Sequence, residues 1–187
     1  MKSQIRIIAG RWRGRKLTVV DAPGLRPTPD RIRETLFNWL AQDCRNASVL
    51  DCFAGSGALG FEALSRGAAK LVAIERQKQA AAGLRAEAQR LQSDAVEVLE
   101  GDALQLIGRL RQSFDIVFVD PPYAEPAMRQ QVFAKLVTAD CLNPGAVLYF
   151  EWPTSESFEL PSPALRWLKQ RSAGQVNYAI AEWQGSG

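Results

Sequence analysis

The segment Asp120-Pro121-Pro122-Tyr123 combines groups that could hold and activate an aromatic amine. The lone pair of an exocyclic amino group on a base is delocalised into the ring, so this amine is a poor nucleophile. Acceptors that bind its hydrogens, the Asp120 carboxylate and the Pro121 carbonyl, would draw the nitrogen towards tetrahedral geometry. The prolines fix φ at about −65° and hold that carbonyl in place. Tyr123 offers a flat face for a base to stack on, a contact worth about 1–3 kcal/mol. The segment therefore predicts group transfer to an exocyclic amine.

Three acidic residues occupy similar positions earlier in the chain. Asp51, Glu75 and Asp102 end or closely follow three successive predicted strands. In an open α/β sheet, a ligand binds outside the carboxyl ends of the strands. Ionised carboxylates only accept hydrogen bonds, so they suit a ribose diol or an exocyclic amine. The three acids together predict one ligand site along this edge of the sheet.

A glycine-rich turn, Gly55-Ser56-Gly57-Ala58-Leu59-Gly60, follows Asp51. Its GxGxxG spacing also occurs where a pyrophosphate lies on a helix N-terminus, and Glu75 would then suit a ribose. An NAD(P)-dependent oxidoreductase is therefore an alternative. Asp51 argues against it, because a carboxylate repels a pyrophosphate but attracts a ligand that carries an ammonium and a sulfonium. S-adenosylmethionine carries both, and it is the cofactor that we predict.

Alternating strands and helices must position these residues. We predict parallel strands over 48–51, 71–75, 96–100, 114–120 and 146–152, with helices over 58–66, 77–91, 104–111 and 127–138 between them. Two more strands, over 165–171 and 176–183, form an antiparallel pair at the sheet edge. The fold class is α/β: a Rossmann-like, doubly wound and mostly parallel sheet of about seven strands.

The N-terminal region has a different character. Two short strands over 5–9 and 16–20 predict a β-hairpin, and a helix should begin near Thr28 with Pro29 in its first turn. Residues 1–35 hold nine Lys and Arg against three acids. Basic residues interleaved with Trp12 and glycines suggest a surface that faces phosphates. We expect a single domain over 1–187, with 1–25 as a hairpin extension and 26–187 as the catalytic core.

The composition narrows the classes of protein to which this chain could belong. The chain has 187 residues, 47% of them hydrophobic and 23% charged, as in a globular domain. It has neither an apolar run of the roughly 18 residues that span a bilayer nor a secretory signal, so we expect a cytoplasmic protein without a membrane partner. There is no histidine, and Cys44, Cys52 and Cys141 lack metal-site spacing. We therefore expect buried or half-buried thiols and no metal, and histidine-dependent hydrolase triads are excluded.

The segment Asp51 to Gly57 resembles the first motif of the class I methyltransferases, whose backbone surrounds the methionine part of S-adenosylmethionine. By that resemblance, Glu75 would accept both ribose hydroxyls, and Asp102 would accept the adenine amino group. The implied cofactor-binding residues are Thr28, Asp51, Phe53, Ala54, Gly55, Gly57, Glu75, Asp102 and Ala103. The implied catalytic residues are Asp120, Pro121, Pro122 and Tyr123.

The residues themselves leave the target base open among adenine N6, cytosine N4 and guanine N2. Guanine is weakly favoured, because its N1–H and N2–H are adjacent donors that one carboxylate can engage together. The base must be unpaired or flipped to reach the site. A DNA or RNA adenine-N6 or cytosine-N4 methyltransferase stays an alternative, although 187 residues contain no added segment for reading a DNA duplex.

Three N-terminal segments resemble the RsmD family, and the resemblance covers about residues 5–183: Ile7-Ile8-Ala9-Gly10, Arg13-Gly14-Arg15-Lys16-Leu17 and Arg26-Pro27-Thr28-Pro29-Asp30-Arg31-Ile32-Arg33-Glu34-Thr35-Leu36-Phe37-Asn38. That family methylates N2 of guanine 966 in bacterial 16S ribosomal RNA, within EC class 2.1.1. The resemblance implies that the protein acts on 16S rRNA or the assembling 30S subunit, and we expect a monomer. It also implies that Arg26 to Thr28 lie beside the cofactor. The implied RNA-binding residues are Arg11, Arg13, Arg15 and Lys16.

Overall fold

A computed structural model of the chain describes residues 4–18, 28–122 and 125–185. The predicted alternation of strands and helices is present. In chain order the elements are β1 (Gln4–Arg6), β2 (Lys16–Thr18), α1 (Asp30–Trp39), β3 (Ser48–Asp51), α2 (Ala58–Ser65), β4 (Lys70–Glu75), α3 (Lys78–Arg90), β5 (Val96–Glu100), α4 (Ala103–Ile107), β6 (Phe114–Val119), α5 (Met128–Thr138), β7 (Leu142–Pro153), β8 (Leu165–Ala173) and β9 (Val176–Trp183).

Seven strands form one sheet in the order β5-β4-β3-β6-β7-β9-β8. The first five strands in that order are parallel, whereas β9 is antiparallel to both β7 and β8. The chain builds outwards from β3 to β5 and then returns to place β6 on the other side of β3. This reversal is the switch point at which α/β sheets bind ligands. The predicted fold class is confirmed.

Several element boundaries differ from the prediction by a few residues. The strand predicted over 5–9 ends at Arg6, because the Ile8 and Ala9 N–H groups donate to Glu62 of α2. Three other differences have a clear structural cause. The helix predicted over 104–111 ends at Ile107, because the next turn tightens into bonds from Arg109 N–H to the Leu106 carbonyl and from Leu110 N–H to the Ile107 carbonyl. The strand predicted over 146–152 begins earlier, because Leu142 already pairs with Phe114. Pro29 precedes α1 as its N-cap residue and does not lie in the first turn.

The sheet is covered on both faces. Side chains of α1, α2 and α3 form one hydrophobic cluster, and those of α4 and α5 form the other. Helix α2 lies close to the sheet because it carries Gly60, where a Cβ atom would come within 2.6 Å of the Leu71 side chain. Such packing explains why β3, β4 and β6 are almost wholly buried.

The hairpin of β1 and β2 packs into the hydrophobic core and does not project from it as an extension would. Ile5, Ile7, Trp12 and Leu17 are buried in the same cluster as α1 to α3. The expectation that Trp12 belongs to a phosphate-facing surface is wrong, since it is 6% exposed and its ring packs edge-on against Phe61 at 6.4 Å. The hairpin thus shares the hydrophobic core of the sheet.

Two further properties concern the described part of the chain. No helix in it has both the length and the apolar character needed to cross a membrane. Its three cysteines are free and buried, as expected from their spacing.

Candidate active site

A cleft of about 940 Å³ opens at the carboxyl ends of the parallel strands. Its position is the one that the switch point between β3 and β6 predicts. The sequence-predicted residues that line it are Thr28, Asp51, Phe53, Ala54, Gly55, Glu75, Asp102, Ala103, Asp120, Pro121 and Pro122. Residues that are far apart in the chain are therefore gathered in one cavity.

Glu75, the last residue of β4, is held by main-chain donors. The Gly55 N–H donates to Glu75 Oε2 at 2.8 Å, and the Gln77 N–H donates to Oε1 at 2.7 Å. The first bond ties the glycine-rich turn after β3 to the end of β4. Each carboxylate oxygen has a further lone pair for a ligand donor. Glu75 is consequently oriented before any ligand binds.

Asp51, the last residue of β3, is buried beneath the glycine-rich turn. The pKa of Asp51 is raised to about 7, mainly by burial of its carboxyl group. The Phe53 N–H, 3.4 Å from Oδ1, opposes the rise, and the nearby Glu75 charge adds to it. The carboxyl group therefore changes charge near neutral pH. A cation in the cleft would favour its ionised form.

Asp102 and Ala103 mark the end of the cleft nearest β5. Asp102 Oδ1 accepts the Gln105 N–H at 3.1 Å and so caps α4, while its side chain still borders the cleft. Gly57, by contrast, is not a lining residue. It is the N-cap of α2 with φ of 77°, and a Cβ atom there would lie 2.6 Å from Phe61 and 2.7 Å from Leu84. Packing and backbone conformation both require a glycine at this position.

Asp120 follows β6, lines the cleft and lies close enough to Asp51 for the charges of the two residues to interact. Burial of its carboxyl group raises the pKa of Asp120 well above the ordinary value. The charges of Glu151 and Asp51 raise it further, and Arg129 lowers it. Pro121 is buried and Pro122 is exposed, and both line the cleft. Tyr123 lies outside the described residues.

Thr28 and Pro29 close the cleft from the side of α1. Thr28 is 8% exposed and lines the cavity, and its contact with the cofactor stays a prediction. Arg26, which was predicted beside it, lies outside the described residues. The start of α1 therefore faces the same cavity as the strand ends.

Glu151 is the cleft residue that the sequence analysis missed. It lies near the end of β7, is 5% exposed and lines the cavity. It lies at the carboxyl end of a parallel strand, like Asp51 and Glu75, so the same rule could have identified it. The predicted strand over 146–152 contained it, but no recognised motif drew attention to it.

The basic tip of the hairpin is docked on α2. The Ile8 and Ala9 N–H groups donate to the Glu62 carboxylate at 2.8 and 3.1 Å, and the Arg11 N–H donates to the Ser65 carbonyl at 2.8 Å. Gly10 allows this approach, because a Cβ atom would lie 1.8 Å from the Ser65 oxygen. The docked main chain leaves four basic side chains exposed: Arg11, Arg13, Arg15 and Lys16.

Comparison with known proteins gives consistent results. The family described as "Conserved hypothetical protein 95" matches residues 5–182. Ribosomal RNA small subunit methyltransferase D of Escherichia coli strain K12 is 41% identical over 98% of this chain and 92% of its own length. Its namesake from Haemophilus influenzae is 42% identical over 96% of this chain and 94% of its own length.

Solved structures agree with that result. The structure of yhhF from Escherichia coli superposes with a TM-score of 0.90 at 37% identity, covering 97% of this chain and 99% of that one. The methyltransferase-like protein SMU.776, solved with SAH, has a TM-score of 0.67 at 12% identity, covering 89% of this chain and 53% of that one. The second likeness concerns the fold alone.

The sheet order and the cleft at its switch point define a class I methyltransferase. Within that class, the chain belongs to the ribosomal RNA small subunit methyltransferase D family. The oxidoreductase alternative is thereby overturned.

Proposed function

We propose that this protein transfers a methyl group from S-adenosylmethionine to N2 of a guanine in 16S ribosomal RNA, corresponding to guanine 966, during assembly of the small subunit in the cytosol. The observation that carries the proposal is the position of Asp120, which lies in the same cleft as Asp51 and Glu75. An acceptor for the target amine thus faces the acceptors that suit the methyl donor. The similarity to small-subunit rRNA methyltransferases supports the choice of RNA.

The residues at the ends of β3, β4 and β5 fit S-adenosylmethionine. The ligand supplies a methyl carbon bonded to a positively charged sulfur. Glu75 would accept from the ribose hydroxyls, Asp102 would accept from the adenine amine, and Asp51 would attract the cationic methionine end. The turn from Phe53 to Gly55 presents main chain to the same cavity. This donor and acceptor set matches the hydrogen-bonding groups of the cofactor.

The residues after β6 would activate the guanine amine. Asp120 and the Pro121 carbonyl accept its two hydrogens, so the nitrogen lone pair becomes available for attack in line with the methyl–sulfur bond. That bond breaks as the new carbon–nitrogen bond forms, and the proton released from nitrogen passes to Asp120 or to water. Alignment of two reactants can contribute on the order of 7–11 kcal/mol to lowering the barrier. Stacking of the base on Tyr123 stays a prediction from the sequence.

The hairpin would bind RNA at a distance from the reaction. Ala58 at the start of α2 lines the cleft, and Ser65, which touches the hairpin tip, is seven residues further along that helix. At a rise of about 1.5 Å per residue, the tip docks roughly 10 Å from the cleft along α2. The exposed residues Arg11, Arg13 and Arg15 would then contact phosphates flanking the target nucleotide. Hairpin and core would act as one domain.

Methylation of small ribosomal subunits tests this proposal. Subunits that lack the modification are incubated with the protein and S-adenosylmethionine labelled in its methyl group, with Asp120→Ala as the matched control. We expect label in the 16S rRNA of wild-type reactions and none above background in the control. Failure of the wild-type protein to label these subunits, naked 16S rRNA and assembly intermediates would refute the substrate assignment.

A further inference from the structure

Glu151 is a second carboxylate in the part of the cleft that holds Asp120, the residue to which the proposed function assigns the target amine. Beyond it along β7, the cavity is lined by Pro153, Thr154 and Ser155, and Gln175 and Val176 from the turn between β8 and β9 complete this wall. The acids assigned to the cofactor lie on the opposite side, at the ends of β3, β4 and β5. Glu151 therefore belongs to the wall that faces the substrate.

The carboxylate of Glu151 is fixed by its surroundings. The Tyr149 hydroxyl donates to Glu151 Oε2 at 2.8 Å, and both side chains are buried. Arg129 Nη1 donates to the main-chain carbonyl of Glu151 at 3.4 Å. A buried carboxylate is costly unless hydrogen bonds or a ligand compensate for the water that it gives up. A buried carboxylate held in one orientation at the cleft wall indicates a binding role.

Glu151 and Asp120 are neighbours across two parallel strands. Val119 of β6 is aligned with Phe150 of β7, so the residues that follow, Asp120 and Glu151, are next in register. Neighbouring strands are about 4.8 Å apart, and residues in register direct their side chains to the same face. The effect of Glu151 on the pKa of Asp120 agrees with this proximity. When both carboxyl groups are ionised, the cleft offers two adjacent acceptors to one substrate edge.

We propose that Glu151 determines base specificity by accepting the N1–H of the target guanine, while Asp120 accepts from the neighbouring N2 amine. This inference rests on the proposed function. Guanine presents these two donors side by side on its Watson–Crick edge. Adenine and cytosine each present a lone pair beside their amine, which a carboxylate repels. Polar groups left unmatched in a site can discriminate between substrates by up to about 10⁴–10⁵-fold.

The experiment compares two target bases that share the reacting amine. Small subunits are reconstituted with 16S rRNA that carries either guanine or 2-aminopurine at the target position. 2-Aminopurine has the same 2-amino group, but its N1 is a lone pair instead of a donor. For wild-type protein, we expect kcat/KM for guanine to exceed that for 2-aminopurine by at least about 100-fold. The ratio does not depend on how much of a preparation is active.

Glu151→Gln should reduce this preference at least tenfold, because the glutamine amide can donate to N1 of 2-aminopurine. Tyr149→Phe should reduce it less, since it only releases the carboxylate from its hydroxyl partner. Glu182→Gln is the matched control: its carboxylate binds Arg166 on the neighbouring β8 strand, and it does not line the cleft. We expect the wild-type ratio for that control.

A failure of the proposal for Glu151 can be distinguished from a failure of the proposed function. If wild-type protein methylates guanine at N2 but both Glu151→Gln and Tyr149→Phe keep the wild-type ratio, the role of Glu151 is refuted while the proposed function stands. If wild-type protein does not methylate guanine in these subunits, the proposed function itself fails. Cofactor affinity measured by calorimetry should be unchanged in both variants, because neither residue lies at the ends of β3 to β5.

Discussion

The two halves of the cleft are organised differently. In the cofactor half, formed by the ends of β3, β4 and β5, main-chain N–H groups bind all three acids, and Glu75 has one on each oxygen. In the acceptor half, formed by the ends of β6 and β7, two carboxyl groups lie side by side, and a tyrosine hydroxyl orients one of them. The first half is therefore preorganised by local backbone, and the second by contacts between separate strands.

This difference suggests that the two halves of the cleft have different functions. A cofactor with constant chemistry can be held by acids whose geometry the glycine-rich turn and a helix cap fix. Activating a weak nucleophile and selecting among bases instead require carboxylates whose charge and position respond to each other. Substitutions in the two halves should therefore affect different measured quantities, binding in one case and turnover in the other.

The largest effect is expected at Asp120. Asp120→Ala should lower kcat by at least about 100-fold, comparable to removing one key transition-state contact, while cofactor affinity changes little. Single-turnover methylation and calorimetry measure the two quantities. Turnover within a few-fold of wild type would contradict the role assigned to Asp120.

Glu75 should show the opposite pattern. Glu75→Gln should weaken cofactor binding by about 10–100-fold, because an amide has one acceptor fewer and places an NH₂ group against the Gly55 or Gln77 N–H. With saturating cofactor, kcat should stay near the wild-type value. Glu100→Gln is the control, since Glu100 ends β5 outside the cleft and contacts Arg85 at 3.4 Å. If Glu75→Gln lowered kcat and left cofactor affinity unchanged, the proposed distinction between the two halves of the cleft would be contradicted.

Substitutions of the basic hairpin residues should directly affect neither the cofactor half nor the acceptor half of the cleft. Replacing Arg11, Arg13 and Arg15 with glutamine should weaken RNA binding and flatten its salt dependence, by about 0.7 in log–log slope for each phosphate that is no longer neutralised. Arg85→Gln is a matched control, because Arg85 lies on α3 and pairs with Glu100. An unchanged slope in the triple variant would place the RNA surface elsewhere.

The smallest effect concerns pH and Asp51. Because its pKa is raised to about 7, cofactor binding that needs the ionised form should weaken by up to about tenfold per pH unit below 7. The folded state holds this proton more tightly than the unfolded chain, so the associated stability is present at acidic pH and is lost as pH rises towards 7. Asp51→Asn should therefore raise Tm at pH 8 by several degrees and have less effect at pH 5. Equal changes in Tm at pH 8 and pH 5 would contradict the raised pKa of Asp51.

The sequence predicted the cofactor half better than the acceptor half for a physical reason. Asp51, Gly55 and Glu75 belong to strand ends and turns that local patterns reveal, and their hydrogen bonds connect successive β/α units. The proximity of Asp120 and Glu151 depends on strand register between distant segments, which local patterns do not encode. Burial of Trp12 was missed for the same reason, because Phe61 of α2 supplies its partner.

Nucleoside analysis of the methylated product tests the central claim most directly. 16S rRNA from small subunits treated with wild-type protein is digested to nucleosides and analysed by mass spectrometry against authentic standards. We expect one new modified nucleoside, N2-methylguanosine, which is absent after treatment with Asp120→Ala. The appearance of N6-methyladenosine or N4-methylcytidine in its place would contradict methylation of guanine N2.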